Sequence, residues 1–99
     1  MVQIKSDPQD ASAETIKLHI ADADLSFNQA AALAKTKAKE RCADPMLLSW
    51  CDRKNDRYYP RFECGTGDKP AWIVFAEARG GNLTIDINAG EFIFIYLKL

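Results

Sequence analysis

Three cysteines and one histidine are the residues of this 99-residue sequence that could bind a metal or act as nucleophiles. The intervals between successive cysteines are nine and thirteen residues, and neither matches the short Cys-x₂₋₄-Cys spacing of zinc sites. The histidine lies on the polar side of an alternating segment, beside Lys17. We therefore predict no metal and no cofactor, and a small thiol- or metal-dependent redox protein remains an alternative. Its candidate residues are Cys42, Cys51, Cys64 and His19.

A basic and aromatic segment over residues 53–62 is the second group that could do chemistry. Proteins that bind nucleic acids use such cations on phosphates and such rings for stacking on bases. However, acidic residues interleave with the cations, and the whole chain has a formal charge of −1. Cross-strand ion pairs explain the segment well, so nucleic acid is an alternative rather than the expected partner. The candidate binding residues are Arg53, Lys54, Arg57, Tyr59 and Arg61.

The elements that must position these residues are predicted in the order strand, helix, then four or five strands. Ile16, Leu18 and Ile20 alternate with polar residues, which is the period of a half-buried strand. Ser26, with Gln29 three residues later, predicts a capped helix start before an alanine-rich run. The helix is predicted over residues 26–41. Strands are predicted over residues 14–20, 46–52, 57–64, 72–78, 83–87 and 92–97, with turns at 53–56, 65–70, 80–82 and 88–91.

This pattern predicts an α+β fold, in which one helix packs on a mainly antiparallel sheet of about five strands, in the order β-α-β-β-β-β. The length fits a single domain over residues 1–99, of which 1–13 form an arm or edge strand followed by a loop. The composition, 47% apolar and 27% charged, is that of an ordinary folded protein. No catalytic motif is present in the sequence, so we predict no catalytic residues.

The last predicted strand, residues 92–97, is apolar on both of its faces, because aromatic and aliphatic side chains alternate along it. One helix of about sixteen residues is only about 24 Å long and covers part of one face. A second copy, a ligand, the N-terminal arm or a curved sheet must cover the rest. We predict a non-enzymatic binding or assembly domain that forms a homodimer through this surface. The predicted interface residues are Ile93, Ile95, Leu97, Ile73 and Phe75.

Two segments, LSWCD at residues 48–52 and GNLTIDI at residues 81–87, resemble those of small single-domain proteins of unknown function from anaerobic bacteria and archaea. The resemblance implies a prokaryotic cytoplasmic domain and carries no activity. An odd number of cysteines suits reduced intracellular thiols. No apolar run reaches the roughly 18 residues of a membrane span, and the first residues lack a signal-peptide pattern. We therefore expect a cytoplasmic protein with no membrane contact.

Overall fold

The computed structural model describes residues 14–22, 24–60 and 70–98. These residues form a five-stranded sheet in the order β1-β4-β5-β2-β3. β1 runs parallel to β4, and the other three pairs are antiparallel, so the predicted α+β fold with a mainly antiparallel sheet is confirmed. The elements are β1 (Glu14–Leu18), α1 (Phe27–Arg41), β2 (Met46–Asp52), β3 (Arg57–Tyr59), α2 (Ala71–Ala78), β4 (Leu83–Ile87) and β5 (Phe92–Leu97).

The predicted arm at residues 1–13 lies outside the described residues. The same is true of residues 61–69, which contain Arg61 and Cys64. β3 is therefore described only as far as Tyr59, which precedes a cis peptide bond to Pro60. In the part of the chain that the structure describes, no helix has the length and apolar character needed to cross a membrane.

α1 begins at the capping box that the sequence predicts. The Ser26 hydroxyl accepts a hydrogen bond from the Gln29 backbone N–H at 3.1 Å, and the Gln29 side chain accepts one from the Ser26 N–H at 2.9 Å. Ala30, Ala34 and Ala38 follow at intervals of four residues and are fully buried. Because their side chains are small, the helix lies close against the sheet.

The sheet face beneath α1 is the hydrophobic core. It is formed by every second residue of the two central strands β4 and β5, as the alternation of side chains in a strand requires. Phe27, from the first turn of α1, packs against this cluster, and so does Trp50 from β2. The buried strand residues are Leu83, Ile85, Ile87, Phe92, Phe94 and Tyr96.

The prediction of a strand over residues 72–78 is wrong, because this segment is the helix α2. Its aromatic and β-branched side chains are typical of strands, yet Trp72 and Ala76, four residues apart, are buried together on one side of a helix. The predicted turn at residues 80–82 does not join two strands, because it follows the C-terminal end of this helix. Gly80, at φ 80°, donates its N–H to the Glu77 carbonyl at 3.1 Å, and Gly81 donates to the Ala76 carbonyl at 2.8 Å, which is a Schellman cap.

α2 packs mainly on β2 and β3, which form one half of the second sheet face. The unpredicted helix therefore supplies part of the cover that one helix cannot give. Over β1 and β4 this face carries polar residues, among them the paired Lys17 and Asp86. Ile93 and Ile95 lie on the boundary between the two halves and remain half-buried.

Candidate functional site

The first candidate surface is a cleft of about 870 Å³ between the start of α1 and the turn that joins β2 to β3. We call it the α1 cleft. It combines two aromatic rings, two cationic side chains and several hydrogen-bonding groups. Its lining residues are Asp24, Leu25, Ser26, Phe27, Asn28, Trp50, Lys54, Asn55 and Arg57.

A buried carboxylate, Asp52, holds the polar side of the α1 cleft in place. It is fully buried at the end of β2. One carboxylate oxygen accepts from the Asn55 backbone N–H at 3.1 Å, and the other accepts from Asn55 Nδ2 at 2.9 Å and Arg57 Nη2 at 3.1 Å. Burial alone would raise the pKa of Asp52, but the hydrogen bonds from Asn55 and Arg57 outweigh it and lower that pKa. The charged carboxylate therefore fixes both side chains at the cleft.

The aromatic side of the cleft is a row of rings that leads from the core to the surface. The Phe27 and Trp50 ring centroids lie 4.5 Å apart. Trp50 in turn stacks on Tyr59 at 6.4 Å with an interplanar angle of 19°, and Tyr59 is 52% exposed. The Arg57 guanidinium carbon lies 5.3 Å from the centre of the Phe27 ring. The guanidinium is thus held between a carboxylate and a ring.

The five predicted binding residues do not form a single patch. Lys54 and Arg57 line the α1 cleft, and Lys54 Nζ also donates to the Leu25 carbonyl at 3.0 Å. Tyr59 extends the row of rings beyond the cleft. Arg53 instead follows the turn toward β5, where its backbone N–H donates to the Glu91 carbonyl at 2.9 Å. Arg61 lies outside the described residues.

Trp50 and Asn55 are cleft residues that sequence reasoning missed. The signal for Trp50 was the hairpin register, since a pairing of Asp52 with Arg57 places Trp50 opposite Tyr59, as observed. No comparable signal identified Asn55, because an asparagine in a polar turn is common.

The second candidate surface is an apolar groove of about 320 Å³ between α2 and the strands β4 and β5. A methyl group on Gly81 would lie 2.9 Å from Ile95 Cγ2 and 3.1 Å from the Ala76 carbonyl oxygen, so glycine permits the close approach of the end of α2. Three of the predicted interface residues meet here. The groove is lined by Trp72, Ile73, Ala76, Glu77, Gly81, Thr84, Ile93 and Ile95.

The other two predicted interface residues lie elsewhere. The Phe75 ring faces the sheet edge, 6.5 Å from the Tyr59 ring and 3.8 Å from the Arg79 guanidinium carbon. Leu97 lies beside the turn after α2, where its Cδ1 would be 3.9 Å from a methyl group on Gly80. Three of the five predicted interface residues therefore line the apolar groove, and Phe75 and Leu97 lie outside it.

Of the four candidate metal or redox residues, Cys42, Cys51 and His19 lie in different parts of the fold, and Cys64 lies outside the described residues. Cys42 is half-buried at the end of α1, with its sulfur 3.8 Å from the Ala38 carbonyl oxygen. Cys51 is buried in β2, and burial raises its pKa, which keeps the thiol protonated and weakly nucleophilic. His19 is exposed beyond β1. Among residues 14–22, 24–60 and 70–98, no three His, Cys, Asp or Glu side chains are grouped to hold a metal ion.

Comparison with known proteins identifies relatives without an assigned activity. An uncharacterized protein from Archaeoglobus fulgidus is 39% identical over 71 residues, which cover 72% of this chain and 75% of that protein. The crystal structure of the protein AF1514 from the same organism superposes with a TM-score of 0.74 at 33% identity, covering 88% of this chain and 95% of that chain.

The resemblance to a small, uncharacterised prokaryotic family is thereby confirmed. Residues 13–96 match the family described as Domain of unknown function (DUF5619). Because this match spans most of the chain, the protein belongs to the DUF5619 family, a domain family of unknown function.

Proposed function

We propose that this protein is a non-enzymatic assembly domain of the cytoplasm, and that two copies associate through the apolar groove beside α2. The observation that carries this proposal is the half-buried pair Ile93 and Ile95 on a central strand, at the edge of the cover that α2 provides. Apolar side chains on the middle of a sheet are stabilised when a second surface removes them from water.

A second copy is the occupant that suits this face. Lys17 and Asp86 are direct neighbours across β1 and β4 and lie on the same face as the groove. In the proposed dimer the two-fold axis passes close to Lys17 and Asp86, so that Asp86 of each copy faces Lys17 of the other and opposite charges meet in an isologous contact. A stable dimer buries about 800 Å² on each partner, so the contact must extend from the groove across β1.

Association is tested by Ile95→Asp, measured by sedimentation velocity over a range of concentrations. The wild-type chain is expected to be dimeric and the variant monomeric, because an unpaired carboxylate in an apolar contact carries a large desolvation cost. Thr36→Asp, on the exposed side of α1, is the matched control and should leave the dimer intact. Circular dichroism of each variant separates loss of association from loss of fold.

A second variant tests the charge pairing without altering the groove. Lys17 is exposed, so Lys17→Glu should preserve the fold while it places like charges opposite each other in the dimer. The dimer should weaken, and added salt should restore part of its stability. A wild-type chain that remains monomeric at millimolar concentration contradicts the proposal.

A further inference from the structure

The α1 cleft lies on the other sheet face from the apolar groove, because Trp50 pairs with Phe94 while the groove residues Ile93 and Ile95 alternate with it along β5. We propose that this cleft binds a nucleoside or a mononucleotide, with the base against the rings of Phe27 and Trp50. The proposal is independent of self-association, which uses other residues.

Aromatic surface is the first requirement for a planar ligand. Trp50 is only half-buried, although it lies between Phe27 and Tyr59 in the row of rings. The row continues to Tyr59, which exposes half of its surface next to the cleft. A stacked base is a sequence-tolerant ligand for such a surface, because every base presents a flat π-face.

Hydrogen bonding at the ring edge is the second requirement, since a base carries both donors and acceptors there. Arg57 supplies N–H donors, and its position is set by Asp52 at 3.1 Å and by the face of Phe27. Asn28 and Asn55 each carry a side-chain carbonyl that can accept. The side chains of Arg57 and Asn55 are already fixed by hydrogen bonds to Asp52, which reduces the entropy cost of ordering them when a ligand binds.

Charge favours a small ligand over a polynucleotide. Lys54 and Arg57 are the cations of the cleft, but Asp24 also lines it and Asp52 pairs with Arg57. The positive charges are therefore largely matched, and the chain as a whole carries a formal charge of −1. A long polyanion gains affinity from many phosphate contacts, whereas one base gains it from stacking.

The experiment uses the fluorescence of the two tryptophans of the full chain, titrated with adenosine, AMP, uridine and ribose 5-phosphate. Adenosine and AMP are expected to quench Trp50 to a similar extent, and ribose 5-phosphate, which has no ring to stack, should have no effect. Trp72→Phe should keep the response, because Trp72 lies on the other face. Trp50→Phe should remove it.

Affinity is then compared by calorimetry for variants that separate stacking from hydrogen bonding. Trp50→Leu is expected to lower the affinity for AMP about tenfold, because stacking on the indole ring is lost. Arg57→Lys retains a cation beside Asp52 but loses the planar guanidinium, so it should weaken AMP less than Arg57→Ala. Arg41→Lys, exposed at the far end of α1, is the matched control and should bind as the wild type does.

Three results would overturn the proposal. Equal binding of ribose 5-phosphate and AMP would make the cleft a phosphate site without base recognition. Binding of a single-stranded oligonucleotide far more tightly than AMP, with a steep loss in salt, would make it a polynucleotide surface. Failure of all four ligands to alter Trp50 fluorescence or calorimetric heat at millimolar concentration would equally contradict it, and would leave the proposed dimer unaffected.

Discussion

The two faces of the sheet share their strands, yet they are covered in different ways. On one face, the fifteen-residue α1 begins with a capping box and lays three fully buried alanines on the core. Phe92 and Phe94 beneath it are completely buried. On the other face, the eight-residue α2 begins at Pro70 without a side-chain cap and leaves Ile93 and Ile95 half-buried.

The difference shows how helix length and side-chain size decide which sheet face is fully covered and which face keeps exposed apolar surface. Small residues at a regular interval bring a long helix close enough to exclude water along the whole strand. A short helix covers only the strands nearest to it, so the adjacent apolar residues keep some exposure. We therefore expect the α1 face to contribute most of the folding free energy, and the α2 face to be available for contacts with another molecule.

The largest expected effect comes from truncating a buried side chain beneath α1. Phe94→Ala should lower the free energy of unfolding by about 3–5 kcal/mol, because a fully buried ring leaves a cavity. The neighbouring Ile95→Ala should cost about 1–2 kcal/mol, since that side chain is only half-buried. Urea denaturation at a concentration where the chain is monomeric measures both. Equal losses would remove the distinction between the faces.

A buried tyrosine on the α1 face, Tyr96, makes the free energy of unfolding depend on pH in the alkaline range. Burial raises the pKa of Tyr96 to about 12, whereas an unfolded tyrosine titrates near 10. The folded state keeps its proton where the unfolded state releases it, so this contribution is complete below pH 10 and is lost as pH rises through 12. By linkage the loss reaches about 2–3 kcal/mol.

Tyr96→Phe isolates this contribution. The free energy of unfolding of the variant should fall less between pH 10 and pH 12 than that of the wild type. Urea titrations at a series of fixed pH values measure this difference. Tyr59→Phe, which removes the hydroxyl of a half-exposed tyrosine, is the matched control. A parallel fall for Tyr96→Phe and the wild type would contradict the assignment.

Most of the α1 face could be predicted from sequence because its signals are local. Ser26 and Gln29 mark the helix start within four residues, and the alternation of apolar with polar residues in β4 places its buried residues without reference to other elements. The parallel pairing of β1 with β4 has no such signal, since it joins segments almost seventy residues apart.

α2 was missed because eight residues show too little periodicity to separate a helix from a strand. A signal did exist in the flanks, where Pro70 precedes the segment and Gly80 follows it, the arrangement typical of a helix. The sequence identified only some residues of the α1 cleft, because a local pattern cannot show which distant residues pack together. Lys54 and Arg57 stand out by composition, but Phe27 joins them only through tertiary packing.

The contact between α2 and β5 can be tested at Gly81. An added methyl group meets Ile95 Cγ2 at 2.9 Å and a backbone carbonyl at 3.1 Å, so Gly81→Ala should destabilise the fold by about 1–3 kcal/mol through overpacking. In an Ile95→Ala background the first of these contacts is absent. The cost of Gly81→Ala should then be smaller, and additive losses would show that α2 does not press on Ile95.

The smallest expected effect concerns how the two helices begin. Ser26→Ala removes the hydroxyl that accepts from the Gln29 N–H and should lower the free energy of unfolding by about 1 kcal/mol. Thr36→Ala, on the exposed side of the same helix, is the matched control, because its hydroxyl donates to the Ala32 carbonyl one turn back and not to the first turn of the helix. Hydrogen exchange should show faster opening of the first turn of α1 in Ser26→Ala, with the amides of α2 unchanged. If α2 loosens to the same extent, the two helices unfold as one unit, and the division of stability between the faces does not hold.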